Sequence, residues 1–205
     1  CLATVANKNA AETCGVDLTK QITWDSMLED GKKLHAENPD YYYLNTDTKI
    51  LCEYVLRPYL RQMTGESFII DSEKKMSFTR EQLVEVLTYI KDCYDGGVFE
   101  PAEDSATFKG QIHTNPKWMD GKFVFAYGPS SSINLLMDAV PEAECTVVQM
   151  PMAEDRVNDG FFADTPQYMT VNKNSEHVEE AVDFLNYFYN NAEAQETLKD
   201  VRSIP

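Results

Sequence analysis

The chain has 205 residues, 43% of them hydrophobic, with ten Phe, eleven Tyr and two Trp, enough apolar material for a substantial core. Asp and Glu number 34 against 18 Lys and Arg, a formal charge of −16; a nucleic-acid backbone would be repelled rather than neutralised, which argues against DNA or RNA as a partner. No apolar run approaches the ~18 residues of a membrane-spanning helix, and the acidity reads as an exposed, solvated surface.

In chain order, Ala3–Cys14 reads as the tail of a helix closed by Gly15, and Val16–Gln21 as a loop. Thr23 caps a helix with Trp24, Met27, Leu28 and Leu34 on one face, ended by Asn38-Pro39-Asp40. Tyr41–Leu44 is a short strand. Asn45-Thr46-Asp47-Thr48 is a polar turn that caps a helix of roughly Thr48–Met63, kinked at Pro58. Phe68, Ile69 and Ile70 read as edge strand. Thr79-Arg80-Glu81-Gln82 is a capping box for a helix with Leu83, Val86, Leu87, Ile90 and Tyr94 on one face, stopped by Gly96-Gly97. Glu100–Thr114 is polar and irregular, and Asn115-Pro116 opens a short helical turn around Trp118.

Lys122–Tyr127 is a strand, Gly128-Pro129 turns the chain, and Ser130–Val140 is a helix with a serine-rich start. Cys145–Met150 is a strand, Pro151–Asp164 a loop, and Gln167–Val171 a further strand. Ser175 caps a helix with Val178, Ala181, Val182, Leu185, Phe188 and Tyr189 on one face; Asn190-Asn191 stops it, and a second helix runs over Ala192–Lys199. Strands alternating with helices predict an α/β fold with a mixed sheet.

Catalytic motifs are scarce. His35, His113 and His177 lie far apart without metal-binding spacing, and there is no Gly-x-Ser-x-Gly elbow or glycine-rich phosphate cradle. The five cysteines, Cys1, Cys14, Cys52, Cys93 and Cys145, include no Cys-x-x-Cys pair, and most read as small buried hydrophobes. No catalytic residue, metal or cofactor is signalled. Three segments suit binding. Tyr127-Gly128-Pro129-Ser130-Ser131-Ser132 stands where a strand passes into a helix, a common ligand position in α/β proteins. There Tyr127 can stack on a sugar, and the hydroxyls of Ser130, Ser131 and Ser132 can bond it; an ordinary helix cap is the competing reading. Asn45 and Asp47 occupy a second strand-to-helix turn, where capping competes with binding. Asp159 and Phe161 lie in Asn158-Asp159-Gly160-Phe161-Phe162, whose adjacent aromatics suit either a ligand or hinge packing. Trp118 and Tyr41–Tyr43 read as core and strand packing.

The C-terminal third, with Ser175, Ala181, Phe184, Leu185, then Glu193-Ala194-Gln195 and Arg202-Ser203-Ile204-Pro205, resembles the extracellular solute-binding proteins of ABC importers, in their sugar-binding branch. Thr23-Trp24-Asp25 with Lys32-Lys33-Leu34, Phe99-Glu100-Pro101, Trp118–Lys122 followed by Phe123–Gly128, and Val147–Pro151 match that family's signatures in the same order. The resemblance implies a fragment built on a periplasmic-binding-protein type II-like lobe, a mixed sheet flanked by helices: residues 22–155 form the second lobe, 1–21 a flank from the first, and 156–205 the crossover strand and helices returning to the first-lobe side. It implies solute capture without chemistry or cofactor, importer membrane subunits as partners, an extracellular or periplasmic place, and a lipid anchor on the full-length protein, for which Cys1 is a candidate beside a plain chain boundary. Flanks parted from the first lobe predict folding back or pairing with a second copy. Ser130 and Ser132 replace aromatics common in the family. A glycan-acting enzyme with paired carboxylates, and a surface module without a small ligand, are the alternatives.

Overall fold

A computed structural model describes residues 2–161 and 169–198. The chain divides into two compact units, Cys1–Phe162 and Ala163–Pro205.

The first unit is built on a four-stranded sheet. Strand β1 (Leu2–Asn7) runs into helix α1 (Lys8–Thr13), and α2 (Trp24–Glu37) precedes β2 (Tyr42–Asn45). Helix α3 (Thr48–Ile50), a π-helical stretch over Leu51–Leu56 and α4 (Arg57–Thr64) form one continuous rod. A hairpin, β3 (Ile69–Ile70) and β4 (Lys75–Met76), leads to α5 (Arg80–Asp95). Short helices α6 (Ala102–Ser105) and α7 (Pro116–Met119) come before β5 (Phe123–Pro129), α8 (Ile133–Asp138) and β6 (Cys145–Val148). The sheet order is β2-β5-β1-β6; β2 is parallel to β5, and β1 is antiparallel to both β5 and β6.

β1 is the main departure from the sequence reading. The Ala-rich start was expected to be helical, yet Leu2–Asn7 lies in the sheet, with Val5 opposite both Ala126 and Val147. Helix propensity differs by only tenths of a kcal/mol among these residues, and a strand buried between two neighbours overrides it. Helix begins only at Lys8, where the Asn7 side chain accepts the Ala10 N–H at 3.0 Å. Within the segment 1–21, Leu2–Asn7 supplies an inner strand of the sheet. At the other end the first unit runs to Phe162, past the boundary expected after residue 155.

Burial explains why β5 reads as an unbroken apolar run rather than an alternating one: Phe123 through Gly128 are all buried, because both faces of the sheet are covered. Trp118 is 0% exposed, and its indole N–H donates to Leu136 O at 3.0 Å, tying α7 to α8. Glu100, also buried, is held by Lys117 Nζ at 2.5 Å and Asn115 Nδ2 at 2.8 Å.

The cap at Thr23 and the capping box at Thr79 form as read, and at Thr23 the Ser26 side chain reaches back to the cap N–H to complete a box there too, as Gln82 does at Thr79. On α5 the buried stripe is Val86, Tyr89 and Cys93, and Leu87 is exposed, so the apolar face is rotated by about one residue from the expected one. Burial pushes the Cys93 thiol up to about 12, that of an inert core cysteine, whereas Cys52 is exposed. Pro58, expected to kink its helix, leaves a rod whose preceding six residues widen into π turns, with the Arg57 N–H bonding Cys52 O.

In the second unit, α9 (Val178–Asn190) and α10 (Ala192–Leu198) form a helix pair. α9 starts two residues later than the Ser175 cap implies: Ser175 Oγ accepts the His177 N–H at 3.1 Å in the turn before it. The Arg202–Pro205 turn and Gln167–Tyr168 of the expected Gln167–Val171 strand lie outside the described residues, and Met169–Val171 are irregular rather than strand.

Trp118→Ala should lower the stability of the first unit by about 3–5 kcal/mol through the cavity it leaves, seen as a lower urea midpoint at unchanged slope.

Candidate functional site

The register fixes where the chain leaves the sheet. β2 and β5 are parallel, with Asn45 opposite Ala126, so Thr46-Asp47 and Tyr127–Ser130 emerge at the same edge. β6 runs antiparallel to β1, and Thr4 faces both Tyr127 and Val148, so the chain after β6 leaves at that edge too. Three of the segments expected to bind ligand therefore start from one rim, the carboxyl ends of the parallel pair, where open α/β sheets place their ligands.

Their side chains differ sharply in availability. Asp47 is wholly buried; one carboxylate oxygen caps α3 by accepting the Ile50 N–H at 2.8 Å, and the other accepts the Gly110 N–H at 2.6 Å. It pins two segments together, and its capping role is the one the geometry displays. Asn45 is buried as well, its amide donating to Ile112 O at 2.8 Å, while Oδ1 has no partner among the described residues.

Tyr127 lies in the core of the first unit. It is 2% exposed, its ring stacks with Tyr54 at 6.1 Å, and its hydroxyl points to Met27 Sδ at 3.8 Å. Burial drives its phenol well above the ordinary value, and no ring face is left for a sugar. The cause is topological: residues alternate in direction along β5, but both faces are covered, so neither direction leads to solvent.

Ser130 and Ser131 are exposed and Ser132 half-buried, in a 3-10 turn before α8. Their hydroxyls make no hydrogen bond among the described residues, so the serines do not act as helix caps. Asp159 is exposed and paired with Arg156 Nε at 3.0 Å; Phe161 is 43% exposed.

Sequence reading passed over Tyr54 and Gln62. Tyr54 lies in the π-helical stretch, 6% exposed, with its ring against Tyr127 and its hydroxyl unbonded among the described residues. Burial raises its phenol strongly, with Glu53 adding to the effect. A tyrosine one turn before a proline on an apolar stripe carries no sequence mark that separates it from core. Gln62, 0% exposed, bonds the loop after β6, as analysed below.

The sequence model of the bacterial extracellular solute-binding proteins matches residues 3–205. The chain belongs to that family. A search of curated proteins returns no match. Among solved structures, this solute-binding protein is similar to a periplasmic solute-binding protein from Pectobacterium atrosepticum (20% identity, TM-score 0.84, 98% of this chain and 51% of that one). It is similar to a periplasmic oligogalacturonide-binding protein from Yersinia enterocolitica in complex with saturated digalacturonic acid (23%, TM-score 0.84, 100% and 52%). A third likeness is to an ABC substrate-binding protein from Listeria monocytogenes in complex with cycloalternan (17%, TM-score 0.72, 99% and 49%). The chain thus spans about half the length of the solved structures it matches. Among the described residues of this solute-binding protein, no group of acidic, His or Cys side chains is placed to hold a metal, and no helix is long and apolar enough to cross a membrane.

Asp47→Ala removes both the cap and the tie to Gly110, and should cost about 2 kcal/mol. Asp47→Asn, which keeps one acceptor, should cost clearly less, both read from chemical denaturation.

Proposed function

We propose that this solute-binding chain forms one wall of a carbohydrate site for an ABC importer, captures its ligand intact, and carries no chemistry of its own. The observation that supports this most is the Ser130–Ser132 turn: three hydroxyls without partners among the described residues, two of those serines exposed, at the rim where β2, β5 and β6 release the chain. Such hydroxyls suit a ligand that is itself a lattice of hydroxyls, since each bond formed replaces one to water at little net cost. The relatives from Yersinia and Listeria are described with bound oligosaccharides, and family membership joins this chain to the same kind of cargo.

In this reading the importer's membrane subunits are the macromolecular partner, and a lipid anchor holds the full-length protein at the cell surface. Closure of two lobes would bury the sugar. With Tyr127 and Asp47 inside the core, this wall acts through Ser130, Ser131, Ser132, the Tyr54 hydroxyl, Asp159 and Phe161. Because the chain is half as long as its solved relatives, it should bind more weakly alone than within a chain of their length.

The test is a thermal-shift screen against mono- and oligosaccharides. Ligand at 100 times its Kd adds about 2.7 kcal/mol of stability, so one sugar class should raise the melting temperature, with the sugar recovered unchanged. Consumption of the sugar would establish an enzyme instead, and no shift with any sugar would redirect the search to other solutes. Tyr54→Phe keeps the ring stack and deletes only the hydroxyl. It should weaken sugar binding by roughly five- to tenfold, about one hydrogen bond, and leave the ligand-free melting temperature unchanged, because no protein partner is lost.

A further inference from the structure

Gln62, on α4, is wholly buried and uses its full hydrogen-bonding capacity. Oε1 accepts the Trp24 indole N–H at 2.7 Å and the Ala153 N–H at 2.8 Å. Nε2 donates to Pro151 O at 3.0 Å and Asp159 O at 3.3 Å. Its backbone carbonyl accepts the Val157 N–H at 2.8 Å. One residue thus grips the start of α2 and four points along the segment that follows β6. The fit is tight at the far end: Gly160 has φ +76°, and a Cβ there would lie 2.8 Å from Pro58 O and 2.9 Å from Gln62 Cγ. The neighbouring contacts agree in direction, since Met152 N–H donates to Ile22 O at 3.0 Å.

We propose that Gln62 is a positioning residue: it clamps Pro151–Gly160 to α2 and α4 as one body, and so sets the place of Asp159 and Phe161 in the ligand wall. The second half rests on the carbohydrate reading above; the clamp itself does not. A loop of this length, mostly exposed from Glu154 to Asp159, has little apolar burial of its own, and local opening follows wherever such support is removed.

Gln62→Met keeps the side chain's length without its hydrogen bonds, and Gly160→Ala disturbs the clamp from the opposite side while leaving Gln62 intact. Amide exchange is read peptide by peptide, with sugar affinity measured alongside. Both variants should speed exchange of the 152–161 peptide about tenfold or more and leave β1 and β5 peptides as they were. Affinity for a sugar found by thermal shift should fall several-fold in both. Exchange unchanged at 152–161, or raised evenly through the first unit, would overturn the clamp. Local exchange raised at unchanged affinity would overturn the positioning role. If the unaltered chain binds no sugar, the carbohydrate reading falls and the exchange result alone decides the clamp. Should Gln62→Met fail to fold, Gly160→Ala carries the same comparison.

Discussion

The pairing of β1 with β5 is the constraint from which the rest of the first unit follows. β1 runs against its neighbours on both sides, so β5 and β6 are parallel to each other although not adjacent, and β2 joins them in direction. All three then release the chain at one edge. β2 and β5 share that edge by pairing directly, and β1 as spacer brings β6 into the same direction, so the chain after it leaves there too. The pairing is stable because both of its faces are covered, and that same cover takes Tyr127 out of reach of a ligand.

Polar groups at the rim fall into two kinds. Asp47 and Gln62 are buried and fully bonded, and they join segments distant in sequence: Asp47 to Gly110, Gln62 to Trp24, Ala153 and Asp159. An amide or carboxylate left unbonded at such depth would cost more than the bonds gain, so each site holds its partners firmly. Ser130, Ser131 and Asp159 are exposed and adaptable. A binding wall needs both, since hydroxyl recognition depends on groups that face solvent being carried by backbone that does not move.

Aromatic residues divide in the same way. Tyr59 stacks on Trp24 at 4.8 Å, and Tyr89 meets Trp24 edge-on while its hydroxyl donates to Trp24 O at 2.8 Å. That cluster welds α2, α4 and α5 beside the Gln62 network, and burial, aided by nearby Asp25, Glu85 and Asp155, pushes the Tyr59 phenol up to about 12. It behaves as core, as do Tyr43 and Trp118. Among the described residues, Phe161 is the anticipated aromatic contact that keeps a large exposed surface.

Much of the fold was legible in the residues. The cap at Thr23, the capping box at Thr79, the stop at Gly96-Gly97, the short turn at Trp118 and the apolar run of β5 are local signals, governed by backbone donors and spacing within a few residues, and they appear where read. The family motifs were legible for the same reason. What local signals cannot carry is which residues meet across the chain. Leu2–Asn7 became a strand because β5 and β6 stood ready to pair with it; Asp47 became a pin because Gly110 came to it; Tyr54 gained its place at the rim by stacking on a residue 73 positions away. Sequence by itself determined the family and most of the element types; tertiary structure decided that Leu2–Asn7 is a strand and which side chains after β2 and β5 remain free, because exposure is a property of what packs above a residue, not of the residue.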